Sequence, residues 1–174
     1  LASVVTSISK DHLDWLPKNE QTIEKIVFEK TSTLLNSNII VAKQSTDETM
    51  NCIKKTISQN QSNKIFFNKD FSYSVGENNF FYYEDKFGEL KLQMPNIKGQ
   101  FQLENISTAI ATLRVLDLEV KEEHIQKGVT KISDLARLQE IKSGKLKELV
   151  KKNKLIVDGS HNEDGARALN EYLQ

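Results

Sequence analysis

Three short stretches hold the side chains best suited to chemistry. In LIVDGSHNEDGARALNEYL, residues 155–173, an apolar run ends in Asp158, Gly159, Ser160, His161 and Asn162 before a helical pattern resumes. A strand ending in Asp-Gly puts a carboxylate at a carboxyl edge, and the glycine permits a tight turn or the close approach of a ligand. Asn162 can cap the following helix, whose free N–H groups favour an anion, with His161 projecting toward it. The spacing suits a phosphate crevice, and it also suits a structural turn. Asp11-His12 follows the first apolar run directly. An imidazole beside a carboxylate at a strand end can ligate a divalent cation that bridges phosphates, and it can equally be a packed structural residue. Lys30 shares a helical stripe with Ile23, Val27 and Leu34. A lysine facing an apolar core must lose its proton, find an anion or snorkel to water. The neutral amine would be nucleophilic toward carbon dioxide and give a carbamate.

The elements that must position these groups alternate. SVVTSI at 3–8 reads as a buried strand, Glu20 to Leu35 as an amphipathic helix, IIVA at 39–42 as a strand, and the stretch after an Asp47 cap as a helix carrying Met50, Ile53 and Ile57. KIFF at 64–67 returns to strand, so the order predicts parallel α/β packing. Between Phe71 and Met94, β-branched and aromatic runs separated by GENN and EDKFGE predict a small antiparallel meander. Helices are expected over Asn105 to Leu116, Glu122 to Val129 and Asn162 to Leu173, with Ala166, Leu169 and Leu173 along one side of the last. The weakly periodic SDLARLQEIKSGK stretch is the expected domain boundary, dividing 1–135 from 136–174.

Composition excludes several classes. With 24 Lys+Arg against 24 Asp+Glu there is no global attraction to nucleic acid. Residues 121–154 carry ten basic and five acidic side chains, a run that can face phosphates or simply be solvated, and it lacks the interleaved aromatics of a nucleic-acid reader. The single cysteine, Cys52, fits a reducing, cytoplasmic setting, and no apolar run is long enough to span a membrane. GxSxG, GxxxxGK[ST] and GxGxxG are all absent. The chain opens inside an apparent strand with neither an initiator methionine nor a signal peptide, and is expected to be cut from a longer protein.

The ordered stretches SVVTSISKDHLDWL, TIEKIVFEK, KGQFQLENISTAIA, ARLQEI and LIVDGSHN together resemble the Mur-ligase-like ATP-dependent amide ligases, specifically folylpolyglutamate synthase/dihydrofolate synthase. The resemblance implies an incomplete central P-loop-type α/β domain with a meander, followed by the start of a Rossmann-like C-terminal domain. It implies an enzyme, monomeric as the full protein, that phosphorylates the carboxylate of a folate glutamate tail, or of dihydropteroate, and lets L-glutamate attack the acyl phosphate. The cofactors implied are ATP and Mg2+. By position, His12 resembles the magnesium ligand of an Asp-His pair, and Lys30 the lysine whose carbamate helps place magnesium and substrate. Asn105 resembles the adenine contact and Arg137 the boundary arginine that reaches the phosphates. Asp158 and His161 resemble the residues that close on ribose and phosphates, with His161 beside Lys30 in the catalytic set.

The sequence departs from that pattern in places. Thr31-Ser32-Thr33 stand where Ala-Gly-Ile is usual, Phe101 replaces a histidine, and Ala136 stands where glycine usually precedes the arginine. The P-loop and most of the C-terminal domain are expected outside residues 1–174, so the chain by itself is expected to be inactive and to bind ATP weakly. A peptidoglycan amino-acid ligase and a non-catalytic α/β binding domain are the alternative readings.

Overall fold

The computed structural model of the chain describes residues 1–11, 13–34, 37–116, 118–133 and 135–174. Strands β1 (Ala2–Val5), β2 (Asn38–Val41) and β3 (Lys64–Phe66) form a parallel sheet in the order β1-β2-β3, linked by helices α1 (Ile23–Thr31) and α2 (Asp47–Thr56). Successive residues of β2 point to opposite faces, and both faces are covered. Ile39 and Val41 pack with Ile23, Ile26 and Val27 of α1 and Ile53 of α2, whereas Ile40 packs with Leu103, Ile106 and Ile110 on the other side. That double burial explains why IIVA reads as an uninterrupted apolar run.

The second layer is helix α3 (Gln100–Val115) together with the antiparallel meander β4 (Phe71–Val75), β5 (Phe80–Asp85) and β6 (Gly88–Gln93). Asn78 and Asn79 turn the first hairpin at φ of 56° and 64°, a region asparagine tolerates, and Gly88 turns the second at φ 107°. Phe81, Tyr83, Leu90 and Leu92 face α3 and form the larger core cluster. Helix α4 (Glu122–Lys131) packs on β6 and donates no more than its edge, Ile125 and Val129, to the core. The chain ends in β7 (Gln139–Glu140), α5 (Lys145–Val150), β8 (Ile156–Val157) and α6 (Glu163–Leu173), with β7 and β8 antiparallel.

The α/β order and the meander match the expectation, and several boundaries shift for local reasons. Helix α1 starts at Ile23 because the Thr22 hydroxyl accepts the Lys25 N–H, and its end coincides with Thr31 and Ser32 bonding back to Val27 and Glu29 carbonyls. The cap of α2 is Thr46, whose hydroxyl accepts the Thr49 N–H, and Asp47 is the first helical residue. Helix α3 begins five residues before Asn105, directly after Gly99. On α6, the stripe of Ala166, Leu169 and Leu173 does not face the core: Leu173 is 65% exposed and the helix contains no buried residue.

Ala136 and Leu138 lie at φ of 56° and 50° in the expected boundary stretch. The left-handed conformation costs an L-residue about 1–2 kcal/mol, which accounts for a glycine preference at such a position. Part of that gain is offset by the greater unfolded-state freedom of glycine. Ala136→Gly is therefore expected to raise stability by about 0.5–1 kcal/mol, read as a higher urea midpoint. A lower midpoint would show that the conformation is not strained.

Candidate functional site

The carboxyl ends of β1 and β2 open onto a cleft of about 1250 Å³ whose far walls are α3, α6 and the 137–160 segment. Asp11, Lys30, Asn105, Arg137 and Asp158 all line it. Five separate stretches of sequence thus meet at the sheet edge where α/β folds place ligands.

Each side chain arrives there for a local reason. The loop after β1 is pinned by Ile8, buried in the α1–α2 core, and then delivers Ser9 and Asp11 to the cleft. The Asp11 carboxylate accepts a hydrogen bond from Asn162 Nδ2 at 3.0 Å and lies 3.5 Å from His161 Nε2. Asn162 is the expected cap of α6, its Oδ1 accepting the Gly165 N–H at 2.8 Å, so Asp11 sits where a helix N-terminus favours an anion. His161 is 65% exposed, with Nδ1 2.8 Å from the Gly159 carbonyl. His161 does not line the cleft wall itself; it joins the site through Asp11. His12 lies outside the described residues.

Lys30 departs from its stripe. Ile23, Ile26 and Val27 are buried, but Lys30 is exposed in the last turn of α1 and lines the cleft. Of the outcomes the stripe left open, this is the snorkelling one: the next residue, Thr31, is buried and Leu34 still packs on the core, while the lysine reaches out.

Asp158 is already engaged. Its Oδ2 accepts the Leu138 N–H at 2.8 Å, and its Oδ1 accepts both the N–H and the hydroxyl of Ser160. The Gly159 N–H adds a 2.7 Å bond to the Ala136 carbonyl. Burial raises the Asp158 pKa, but these hydrogen bonds and the Arg137 charge outweigh it and hold the carboxyl below its ordinary value of 3.8. A carboxylate with a lowered pKa contributes stability above its unfolded value and loses it as pH falls through the folded one. The junction between the 136–138 turn and the 158–160 loop therefore weakens only at pH below about 4.

The cleft also gathers residues that no motif singled out. Lys43 lies 2.6 Å from Glu104, whose hydrogen bond outweighs burial and raises the Lys43 pKa, and the Ser45 hydroxyl donates to Asp164 at 2.5 Å. Arg167 pairs with Glu163 and Asp164. The readable signal for Lys43, Gln44 and Ser45 was position alone, directly beyond the end of β2. Lining cations are Lys30, Lys43, Arg137 and Arg167, against carboxylates Asp11, Glu104, Asp158, Asp164 and Glu171. Such a balanced wall does not attract a polyphosphate unaided. Of the basic run 121–154, Arg137 reaches the cleft and the lysines of 142–154 lie mostly exposed.

The Mur ligase middle domain matches residues 1–113, well over half of the chain. The chain belongs to the Mur ligase family. Within that family it is 25% identical over 178 residues to folylpolyglutamate synthase of Lacticaseibacillus casei, covering 97% of this chain and 39% of that protein. It is 25% identical over 182 residues to the dihydrofolate synthase/folylpolyglutamate synthase of Haemophilus influenzae, covering 98% and 39%. The solved structure of E. coli FolC in complex with DHPP and ADP superposes with a TM-score of 0.76 at 28% identity, over 98% of this chain and 37% of that one. The Mur ligase chain described here thus spans about two fifths of the length of the curated relatives it matches, as a partial homologue of the folylpolyglutamate and dihydrofolate synthases. No helix among its described residues is long and apolar enough to cross a membrane.

Proposed function

We propose that this Mur ligase chain is part of an ATP-dependent ligase that joins L-glutamate to the glutamate tail of a folate, with dihydropteroate as a second acceptor. Residues 1–135 belong to the central domain in this reading, and 136–174 open the C-terminal one. The observation that carries it is the meeting of Asp11, Lys30, Asn105, Arg137 and Asp158 in one cleft.

Among the described residues no three His, Cys, Asp or Glu side chains form a metal cluster. Magnesium in phosphate-transfer sites takes one or two protein carboxylates and fills the rest of its shell with phosphate and water, so a single Asp11 carboxylate at the cleft is a fitting donor. Asp11, the neighbouring His12 and a carbamylated Lys30 would hold it, and it would supply charge neutralisation between a triphosphate and a carboxylate. The chain's own groups do the rest. Arg137 meets phosphate charge from the boundary segment, and Asn105 meets the adenine from α3. Asp158, locked to Leu138 and Ser160, keeps the Arg137 segment and the His161 loop in fixed relation. Asn162 and His161, both against Asp11, join the C-terminal segment to the central sheet edge. Drawing these walls together excludes water from an acyl phosphate that hydrolysis would waste.

The 174-residue chain has a charge-balanced cleft and no GxxxxGK[ST] loop. Calorimetry with MgATP is expected to show no binding tighter than about 1 mM, the weak range in which a few exposed contacts operate. Micromolar binding would mean that the nucleotide site is elsewhere. For the full-length protein, ADP release is expected with tetrahydrofolate or dihydropteroate plus L-glutamate, and none with UDP-MurNAc peptides; the opposite pattern would place it among the peptidoglycan ligases.

A further inference from the structure

The tripeptide Lys43-Gln44-Ser45, directly beyond β2, reaches three walls of the cleft at once. Lys43 pairs with Glu104 of α3, Ser45 donates to Asp164 of α6, and Gln44 turns inward to the loop after β1. The two outer contacts are exposed, and such pairs hold little. Gln44 differs. It is 9% exposed, and among the described residues its carboxamide bonds to backbone. Oε1 accepts the Ile8 N–H at 2.9 Å, while Nε2 donates to the carbonyls of Ala42 at 3.0 Å and Thr6 at 3.2 Å.

The β1–β2 pairing ends with the Ala42 N–H on the Val5 carbonyl. Beyond it the two chains diverge, and the Gln44 amide stands where one more peptide unit would be. It meets the buried Ile8 N–H and the carbonyls of Ala42 and Thr6 where the backbones diverge, of which the Ile8 and Ala42 bonds are buried and costly to lose. The sequence expectation of a strand to Ile8 fails for this reason: the Ile8 N–H is bonded to a side chain, not to a neighbouring strand.

We propose that Gln44 is a positioning residue that fixes the loop leading to Asp11 at the mouth of the cleft. The metal half of this inference rests on the ligase reading above; the positional half does not. Asp11 is three residues past the bonded Ile8 amide, and its carboxylate meets Asn162 and His161. A loop freed at Ile8 lets that carboxylate wander from the helix terminus it faces.

The test uses Gln44→Met, which keeps the side-chain length and removes all three bonds, and Gln44→Glu, which keeps the acceptor for Ile8 and loses both donors. Amide hydrogen exchange on the 174-residue chain is expected to speed up about tenfold or more at Ile8 through Asp11 in Gln44→Met and less in Gln44→Glu, with β3 and the meander unchanged. Unchanged exchange at Ile8, or an equal rise across the whole sheet, would overturn the positioning role. In the full-length protein, Gln44→Met is expected to raise half-saturating Mg2+ about fivefold with KM for the folate unchanged. An equal loss at every Mg2+ concentration would assign Gln44 to stability alone. Should the wild-type protein ligate nothing, the ligase reading falls while the exchange result still decides the position of the loop.

Discussion

If the full-length protein carries the proposed ligase activity, replacing Lys30 by arginine is expected to lower kcat by about 100-fold, and replacing it by alanine to lower it by as much. The equality is the informative part. Arginine keeps the positive charge and the reach, but its guanidinium cannot form a carbamate. Lys30 is exposed at the end of α1 and lines the cleft, so neither change opens a cavity or buries a charge. If Lys30 served as a plain cation for phosphate, arginine would retain most of the activity, and the carbamate role would be withdrawn. Steady-state ADP release with a folate acceptor and glutamate measures this, with KM for ATP following as a second readout.

Asp85→Ala is expected to cost the isolated chain about 3–5 kcal/mol, the largest stability loss at any polar position described here. Asp85 is 6% exposed at the end of β5 and lies 3.3 Å from Arg114 Nε, 17% exposed on α3. The same Oδ2 accepts the Tyr83 hydroxyl at 2.9 Å, while Oδ1 accepts the Phe87 N–H at 2.8 Å in the following turn. Burial first, then the Asp85 hydrogen bond and charge, push the Tyr83 hydroxyl pKa far up, so it remains a donor at any physiological pH. Removing the carboxylate takes the acceptor from the Tyr83 phenol and leaves the Arg114 guanidinium with a 3.4 Å bond to the Gly88 carbonyl and the faces of Tyr83 and Phe87, without its counter-charge. Tyr83→Phe removes one hydrogen bond and leaves the ion pair, and is expected to cost about 1 kcal/mol. Urea midpoints read both, and a loss below about 1 kcal/mol for Asp85→Ala would show that the pair is solvent-relaxed.

The two interactions differ in how visible they were. Lys30, Asp158 and His161 stand in local patterns that a reader meets in sequence order, and the cleft accommodates two of them directly and the third through Asp11. The alternation of apolar runs and stripes marked the parallel sheet, because strands buried on two faces leave continuous runs and helices buried on one leave stripes. Gln44 and Asp85–Arg114 leave no such mark. Their partners lie 36 and 29 residues away in the chain, and a glutamine after a strand looks the same whether it faces water or a diverging ladder. Lys30 shows the limit from the other side: periodicity put it on the stripe of Ile23 and Val27, but not whether its long side chain stays in the core or reaches out to the cleft, as it does.

The central claim is that magnesium and phosphate meet the chain at the carboxyl edge of the parallel sheet. A second cavity of about 470 Å³, lined by β3, the turn after it and the facing parts of β4 and β5, carries Lys64, Lys69 and Lys86 and is the natural rival. Manganese binds where magnesium does and broadens nearby amide resonances, so NMR of the full-length protein with MnADP separates the two. The account predicts loss of signal in the loop before Asp11, the last turn of α1 and residues 158–162, with the meander untouched. Broadening centred on Lys64, Lys69 and Lys86, with residues 9–11 and 158–162 unaffected, would contradict it.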